Sequence, residues 1–271
     1  MNLSAGGRRF IGRISTGHAA VQMALAAMIL FFAVGATAET TNTLSDAEIQ
    51  GRALVQRILA QRPTESSTNT GVLEIRNGSG KQTEIPVEIQ IRITDAGWVN
   101  HYMTTSPYLV TASTEEPPRD DVQIVHRDGP NVYWSPISGS TNASYDKGRM
   151  PLANESFATS DFWLCDLGLE FFHWPQQKVL KKEFHRQCAC MVLESTNPNP
   201  TTNGYSRVVS WIDEESLGIV EAYAYDANGK KLKNFYPKDF EKVNGQYQVH
   251  SLIMDNLQTG SRSRLEFDLQ K

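Results

Sequence analysis

Histidine, cysteine and paired carboxylates are the side chains through which this chain could do chemistry, and their spacing leaves them little to do. His101, His126, His173, His185 and His250 stand singly along the chain. A zinc hydrolase would need two histidines one helical turn apart around a glutamate, and no H-E-x-x-H occurs. The G-x-S-x-G nucleophile elbow, the phosphate loop and the Rossmann glycine fingerprint are also missing. Glu115, Glu116, Asp120 and Asp121 are close enough in sequence to suggest an acid–base pair, but Pro117-Pro118-Arg119 divides them and brings in a cation. They read as a solvated loop. Three thiols remain, Cys165, Cys188 and Cys190. Zinc wants four ligands with tetrahedral reach, which these cannot supply. On a strand Cys188 and Cys190 share a face, so in an oxidising compartment Cys165 could bridge to either; three buried, inert thiols is the other reading. The sequence assigns no catalytic residue, no metal and no cofactor.

The compartment is set by the N-terminus. Arg8, Arg9 and Arg13 precede an uncharged apolar run from Val21 to Val34, which leads into Ala36-Thr37-Ala38. That order is a signal peptide over residues 1–38, cut after Ala38, and the run is shorter than the ~20 apolar residues of a spanning helix. The expectation is a periplasmic protein beginning at Glu39, with ~230 residues in one domain, 39–271. The leader contains none of the 30 acidic residues, so the remainder is more acidic than the whole-chain charge of −4. Nucleic acid and an anionic membrane surface are thereby disfavoured as principal partners.

The elements that would position any site come next. Ser45 with Glu48 forms a capping box, and Ile49, Leu54, Val55, Ile58 and Leu59 then make an apolar stripe ending before Pro63. Ile85, Val87, Ile89, Ile91 and Ile93 fill every second position between polar residues, the pattern of a half-buried antiparallel strand. Similar strands are expected at Gly71 to Arg76, Trp98 to Thr104, Tyr108 to Ala112, Val122 to Arg127, Tyr205 to Ile212, Ile219 to Tyr225, Tyr247 to Asp255 and Arg264 to Leu269. Asn77-Gly78-Ser79-Gly80, Asp95-Ala96-Gly97, Asn228-Gly229 and Asn244-Gly245 supply hairpin turns. So many hairpin-linked strands predict a mainly β protein with a large, curved antiparallel sheet. Residues 113–160 loosen into connections, and the aromatic run from Ser160 to Pro175 reads as a short helix capped by Ser160, either ordinary core or a lid over an apolar interior.

The chain resembles the LolA-like outer-membrane lipoprotein-sorting proteins, in an uncharacterised branch. Ser160-Asp161-Phe162 running into Asp166-Leu167 carries the resemblance, with Tyr205 through Asp213, Ala224-Tyr225-Asp226, Gly229-Lys230, Leu232-Lys233, Ile253 through Asn256, Thr259-Gly260-Ser261 and Leu265-Glu266-Phe267. It extends from about Phe157 to the C-terminus. It implies an incomplete β-barrel with helices on its concave side and a hydrophobic cavity for acyl chains. The expected cargo is lipid acyl chains or lipoproteins, handled by a non-catalytic monomer that meets inner- and outer-membrane sorting partners. Candidate cavity and lid residues are Leu54, Ile58, Leu73, Ile75, Ile85, Val87, Ile89, Ile91, Phe162, Trp163, Leu167, Phe171 and Trp174. An envelope sensor or assembly module that binds a protein segment is the alternative, and a hydrolase whose residues converge only in space is a third. The leader predicts that protein recovered from the cell envelope has Glu39 at its N-terminus by intact mass; a retained leader would contradict the secretion reading.

Overall fold

The computed structural model describes residues 44–104, 120–136, 148–243 and 246–268; the leader, the strand expected at 108–112 and the Asn244-Gly245 turn lie outside them. Helix α1, Asp46–Leu59, begins as expected: Ser45 Oγ accepts from Glu48 N, and Ser45 N donates to the Glu48 carboxylate at 2.8 Å. Its buried face is Gly51, Leu54, Val55 and Ile58. Ile49, expected on that stripe, is 53% exposed. The helix meets the sheet through Gly51, where the two backbones approach too closely for a longer side chain.

The strands are β1 Ser67–Arg76, β2 Gln82–Thr94, β3 Gly97–Thr104, β4 Asp121–His126, β5 Val132–Pro136, β6 Gly148–Arg149, β7 Gln176–His185, β8 Cys188–Thr196, β9 Arg207–Asp213, β10 Ile219–Tyr225, β11 Lys231–Val243, β12 Gln246–Asn256 and β13 Arg262–Asp268. They form one open antiparallel sheet of 13 strands in the order β6-β5-β4-β3-β2-β1-β13-β12-β11-β10-β9-β8-β7. Two meanders join where β1 pairs with β13. Register aligns the apolar faces: Leu73 lies opposite Ile85 and Leu265, and Ile89 opposite Tyr102, which faces Val122.

Five strands were not expected from the sequence: β5, β6, β7, β8 and β11. Gln176–His185 is rich in lysine, as suits the last strand of the order, and carries a register shift between Val179 and Lys181. β11 accommodates Pro237, and its pairing with β12 passes over Asp239, which has a left-handed φ of 55°. The ladder skips that position without a change of register.

The sheet is rolled. In a flat sheet β5 and β7 would stand ~50 Å apart, since neighbouring strands are ~4.8 Å apart. Yet Asn131, at the start of β5, donates to the Gly168 carbonyl at 2.7 Å, and Gln177 of β7 donates to the Phe171 carbonyl at 3.0 Å. Gly168 and Phe171 are separated by ~10 Å of chain at most. Both ends of the sheet therefore converge on one segment, leaving an open roll rather than a closed barrel. What fills the roll is mostly not helical. α1 covers one end, and the rest is residues 150–174, whose helical content is the short α2, Leu164–Leu167, and a 3-10 turn, Glu170–His173. Among the described residues, the expectation of helices across the inner face is thus met by α1 and these two short turns alone.

A Cβ on Gly51 would lie 2.5 Å from the Gln177 and Lys178 backbone. Gly51→Ala gains ~1 kcal/mol of helix propensity but forces α1 off β7, and such overpacking costs ~1–3 kcal/mol. We expect a lower urea midpoint for this variant; an unchanged or higher midpoint would contradict the close approach.

Candidate functional site

The segment that plugs the roll begins with a tight turn. Ala158 and Thr159 are both left-handed, with φ of 51° and 56°, and let Phe157 N donate to the Phe162 carbonyl at 2.9 Å. Ser160 does not cap a helix; its Oγ accepts from Phe162 N at 3.2 Å. α2 starts instead at Trp163, whose N–H donates to Asp166 Oδ2 at 2.8 Å. Asp120, from the acidic stretch, accepts from Ala158 N.

Four groups of polar contacts fasten this plug to the sheet. Asp161 is held by the β12–β13 turn: Asn256 Nδ2 and Ser261 Oγ donate to Oδ1 at 3.1 and 2.7 Å, and Ser263 Oγ donates to Oδ2 at 2.9 Å. Lys233 of β11 is 3% exposed, and its Nζ donates to the Asp161 carbonyl at 2.6 Å and to Asp166 Oδ2 at 3.3 Å. The same ammonium lies 3.7 Å from the centroid of the Trp163 ring, and Trp163 stacks on Tyr205 at 4.6 Å. Tyr205 Oη completes the Asp166 shell, donating at 3.1 Å. Burial lowers the Lys233 pKa against the opposing pull of Asp166, and burial raises those of Tyr205 and Cys165.

The third group joins the plug to β5. Tyr133 Oη donates to Glu170 Oε2 at 3.0 Å, as does Asn131 N at 3.3 Å. Burial raises the Glu170 pKa. Beside it His126 stacks on Trp98 at 4.6 Å with its Nε2 buried, and burial, reinforced by His173, drives its pKa down to about 4. The fourth is Gln177, which donates to the carbonyls of Phe171 and Trp174 and accepts from Ser195 Oγ at 2.7 Å.

Between the fastenings the contacts are apolar. Leu54, Ile58, Phe171 and Phe172 form one cluster with Val179, Leu193, Val208 and Ile212, with Trp163 and Trp174 packed against it. Leu73, Val87, Ile89, Phe157 and Phe162 form the other with Ile124 and Leu265, flanked by Ile75, Ile85 and Leu167. Of the candidate cavity residues only Ile91 lies in neither cluster. The residues therefore come together on one face, but as packing. The gap enclosed by Asp166, Phe171, Tyr205, Val208 and Lys233 is about 10 Å³, a scale at which a single water barely fits. Among the described residues the plug's own aromatic rings occupy the space between the two clusters.

All three cysteines are free. Cys165 lies in the α1 cluster, while alternation along β8 turns Cys188 and Cys190 away from Met191 and Leu193, which pack there. The sheet separates Cys165 from both, so the bridge left open by the sequence is not formed. Among the described residues no cluster of three His, Cys, Asp or Glu side chains is arranged to hold a metal. His101, His185 and His250 each face one carboxylate instead, Asp121, Glu221 and Glu266. Lys233 and Glu170 were missed as site residues. Lys233 had a signal, because it falls within the Leu232-Lys233 pair that helps carry the family resemblance.

The fold is LolA-like. The model of a family described as an uncharacterized protein matches residues 149–270, which include the whole plug. Solved structures similar to this chain include a DUF1329 family protein from Desulfovibrio piger, at 18% identity and TM-score 0.65 over 83% of this chain and 92% of that one. A putative outer membrane lipoprotein-sorting protein domain from Vibrio parahaemolyticus is similar at 17% identity and TM-score 0.66 over 82% and 92%. The LolA superfamily protein NE2245 from Nitrosomonas europaea follows at 15% and 0.58 over 81% and 91%. No curated protein matches the sequence. The resemblance read from the sequence thus holds for the fold, and six of the residues that carried it, Asp161, Asp166, Tyr205, Lys233, Asn256 and Ser261, take part in the first two fastenings.

Two predictions follow from the fastenings. Lys233→Met strands the Asp166 carboxylate in the core, a loss of ~3–5 kcal/mol, while the double variant Lys233→Met/Asp166→Asn recovers much of it; additive losses in urea unfolding would contradict the pairing. The unfolded chain binds more protons than the folded one between the depressed His126 pKa of about 4 and the free value of 6.5. Its contribution is full above pH 6.5 and is lost as pH falls toward 4, ~3 kcal/mol in all. His126→Phe should flatten stability over that window, and an unaltered pH profile would contradict it.

Proposed function

We propose that this chain is a periplasmic carrier of acyl chains, as free lipid or as lipoprotein, in which residues 157–174 occupy the acyl site until cargo displaces them. One observation carries the reading: the apolar inner face of an open sheet is covered by an irregular segment fastened at a few polar points rather than by a continuous layer. Leu73, Ile75, Ile85, Val87 and Ile89 would form the wall, Leu54 and Ile58 the helical end, and Phe162, Trp163, Leu167, Phe171 and Trp174 the moving part. Ile91 would lie at the margin.

Magnitudes make the exchange reversible. Burying Phe157, Phe162, Phe171 and Phe172 gains ~1.5–3 kcal/mol each, so the four together give ~6–12 kcal/mol. An acyl chain of ~16 carbons at ~0.8 kcal/mol per methylene gives a similar total. Cargo and plug can therefore compete for one surface, and release to an acceptor needs no covalent step. The leader, if cleaved after Ala38, delivers the domain 39–271 to the compartment where such cargo crosses, and loading and unloading would involve partners at the two membranes.

The alternative of a module that grips a protein segment draws on β7, the last strand of the order among the described residues, where Leu180 is 44% and Phe184 76% exposed. Such an edge can take an added strand.

Protein expressed with its own leader should co-purify with acyl lipids detectable by mass spectrometry. Asp161→Ala, which unfastens the plug from the β12–β13 turn, should speed uptake of a fluorescent fatty acid severalfold while lowering stability. Protein that is lipid-free as isolated and indifferent to the probe in both forms would refute the carrier reading.

A further inference from the structure

Among the described residues no helix covers the opposite face of the sheet, yet it is not flat. Arg186 and Gln187 both have left-handed φ, 46° and 68°, and turn β7 into β8. The tip of that hairpin folds over the outer face. His185 stacks on Trp211 of β9 at 4.9 Å, and Arg186 donates to Glu221 of β10 at 2.9 Å while its guanidinium lies 4.5 Å over the Tyr236 ring of β11. Beside this overhang, strands β11, β12, β13 and β1 bound a groove of about 470 Å³. That volume is in the range of small-molecule sites, ~300–1,000 Å³.

The lining is cationic. Arg76, Arg186, Lys238, Arg262 and Arg264 surround a floor of Ile253 and Tyr236, and Glu74 is the carboxylate among them. Several of these charges are already answered at the rim: Arg186 by Glu221, Arg262 by Asp255, and Arg264 by Glu266 at 2.8 Å and Asp239 at 3.3 Å, with Glu74 at 4.0 Å. Arg76 and Lys238 have no carboxylate partner among the described residues, and Arg264 Nε is buried without an acceptor. The groups left unpaired in the lining are therefore donors. They come from β1, β11 and β13, on different sides of one apolar floor. A planar carboxylate is satisfied by a single guanidinium fork, whereas donors converging from several strands suit a tetrahedral anion with oxygens in several directions.

We propose that this groove binds a phosphate group carried on a small polar body of glycerol size, either free in solution or as a phospholipid headgroup. The site is on the outer face, so it does not depend on the acyl-carrier reading of the inner one.

The test is titration calorimetry of the purified full-chain product with glycerol 3-phosphate, alongside co-sedimentation with vesicles of phosphatidylglycerol and of phosphatidylcholine. Glycerol 3-phosphate should bind with an affinity that falls as salt rises, and uncharged glycerol should not. Arg76→Gln and Lys238→Gln should each weaken binding about tenfold, the worth of one charge-assisted contact, without altering the thermal melt. Binding of phosphatidylglycerol vesicles alone, lost in the double variant Arg76→Gln/Lys238→Gln, would identify the membrane headgroup as the source of the phosphate. Retained affinity in that double variant, or no binding to either phosphate source, would overturn the proposal.

Discussion

An open sheet with one apolar face must be covered, and in this protein the cover is held down by a buried lysine. Lys233 projects from β11 into the interior, where it meets the Asp161 carbonyl, the Asp166 carboxylate and the face of Trp163. A lone ammonium there would be very costly, and the cost is met only when the plug supplies all three partners. Lys233 thus specifies where the plug sits when the inner face is closed. Asp161 extends this control to the far hairpin, binding three side chains of the β12–β13 turn and its approach.

Rolling the sheet follows from the same constraint. Both ends must reach a segment of fewer than twenty residues, so β5 and β7 curl toward it and bind it at adjacent points. The inner face is packed with the plug's aromatic rings, and that filling equals a long acyl chain in apolar worth. That equivalence links the packing to the proposed carrier role: the interior is a site already occupied by the protein's own side chains. The outer face obeys different rules. There charge and aromatic rings alternate, and the overhang of Arg186 shapes a polar groove where the inner face has none.

Much of this was legible from residue patterns. The Ser45–Glu48 cap, the isoleucines of β2 and the glycine turns each act within a few neighbouring residues, so local spacing exposes them. β7, β8 and β11 stayed hidden for physical reasons: β7 is a lysine-rich edge, β8 carries short and polar residues among its apolar ones, and β11 contains Pro237 and the left-handed Asp239. Alternation also tells which face is apolar without telling what lies on it. The aromatic run at 162–174 was readable as a lid, but its filling of the interior depends on contacts with strands far away in sequence. Lys233 looked like one lysine among several near a turn, and only its opposition to Asp166 across the core reveals its role. Ile49 faces solvent because Gly51, rather than a larger residue, sets the line along which α1 meets β7.

Hydrogen–deuterium exchange across residues 157–174, with and without an acylated peptide, addresses the central claim most directly. Displacement of the plug predicts that amides such as Phe157 and Trp163 exchange faster when cargo is bound, while those of β1, β2 and β13 are protected or unchanged. Equal or slower exchange throughout the plug in the presence of bound cargo would contradict it.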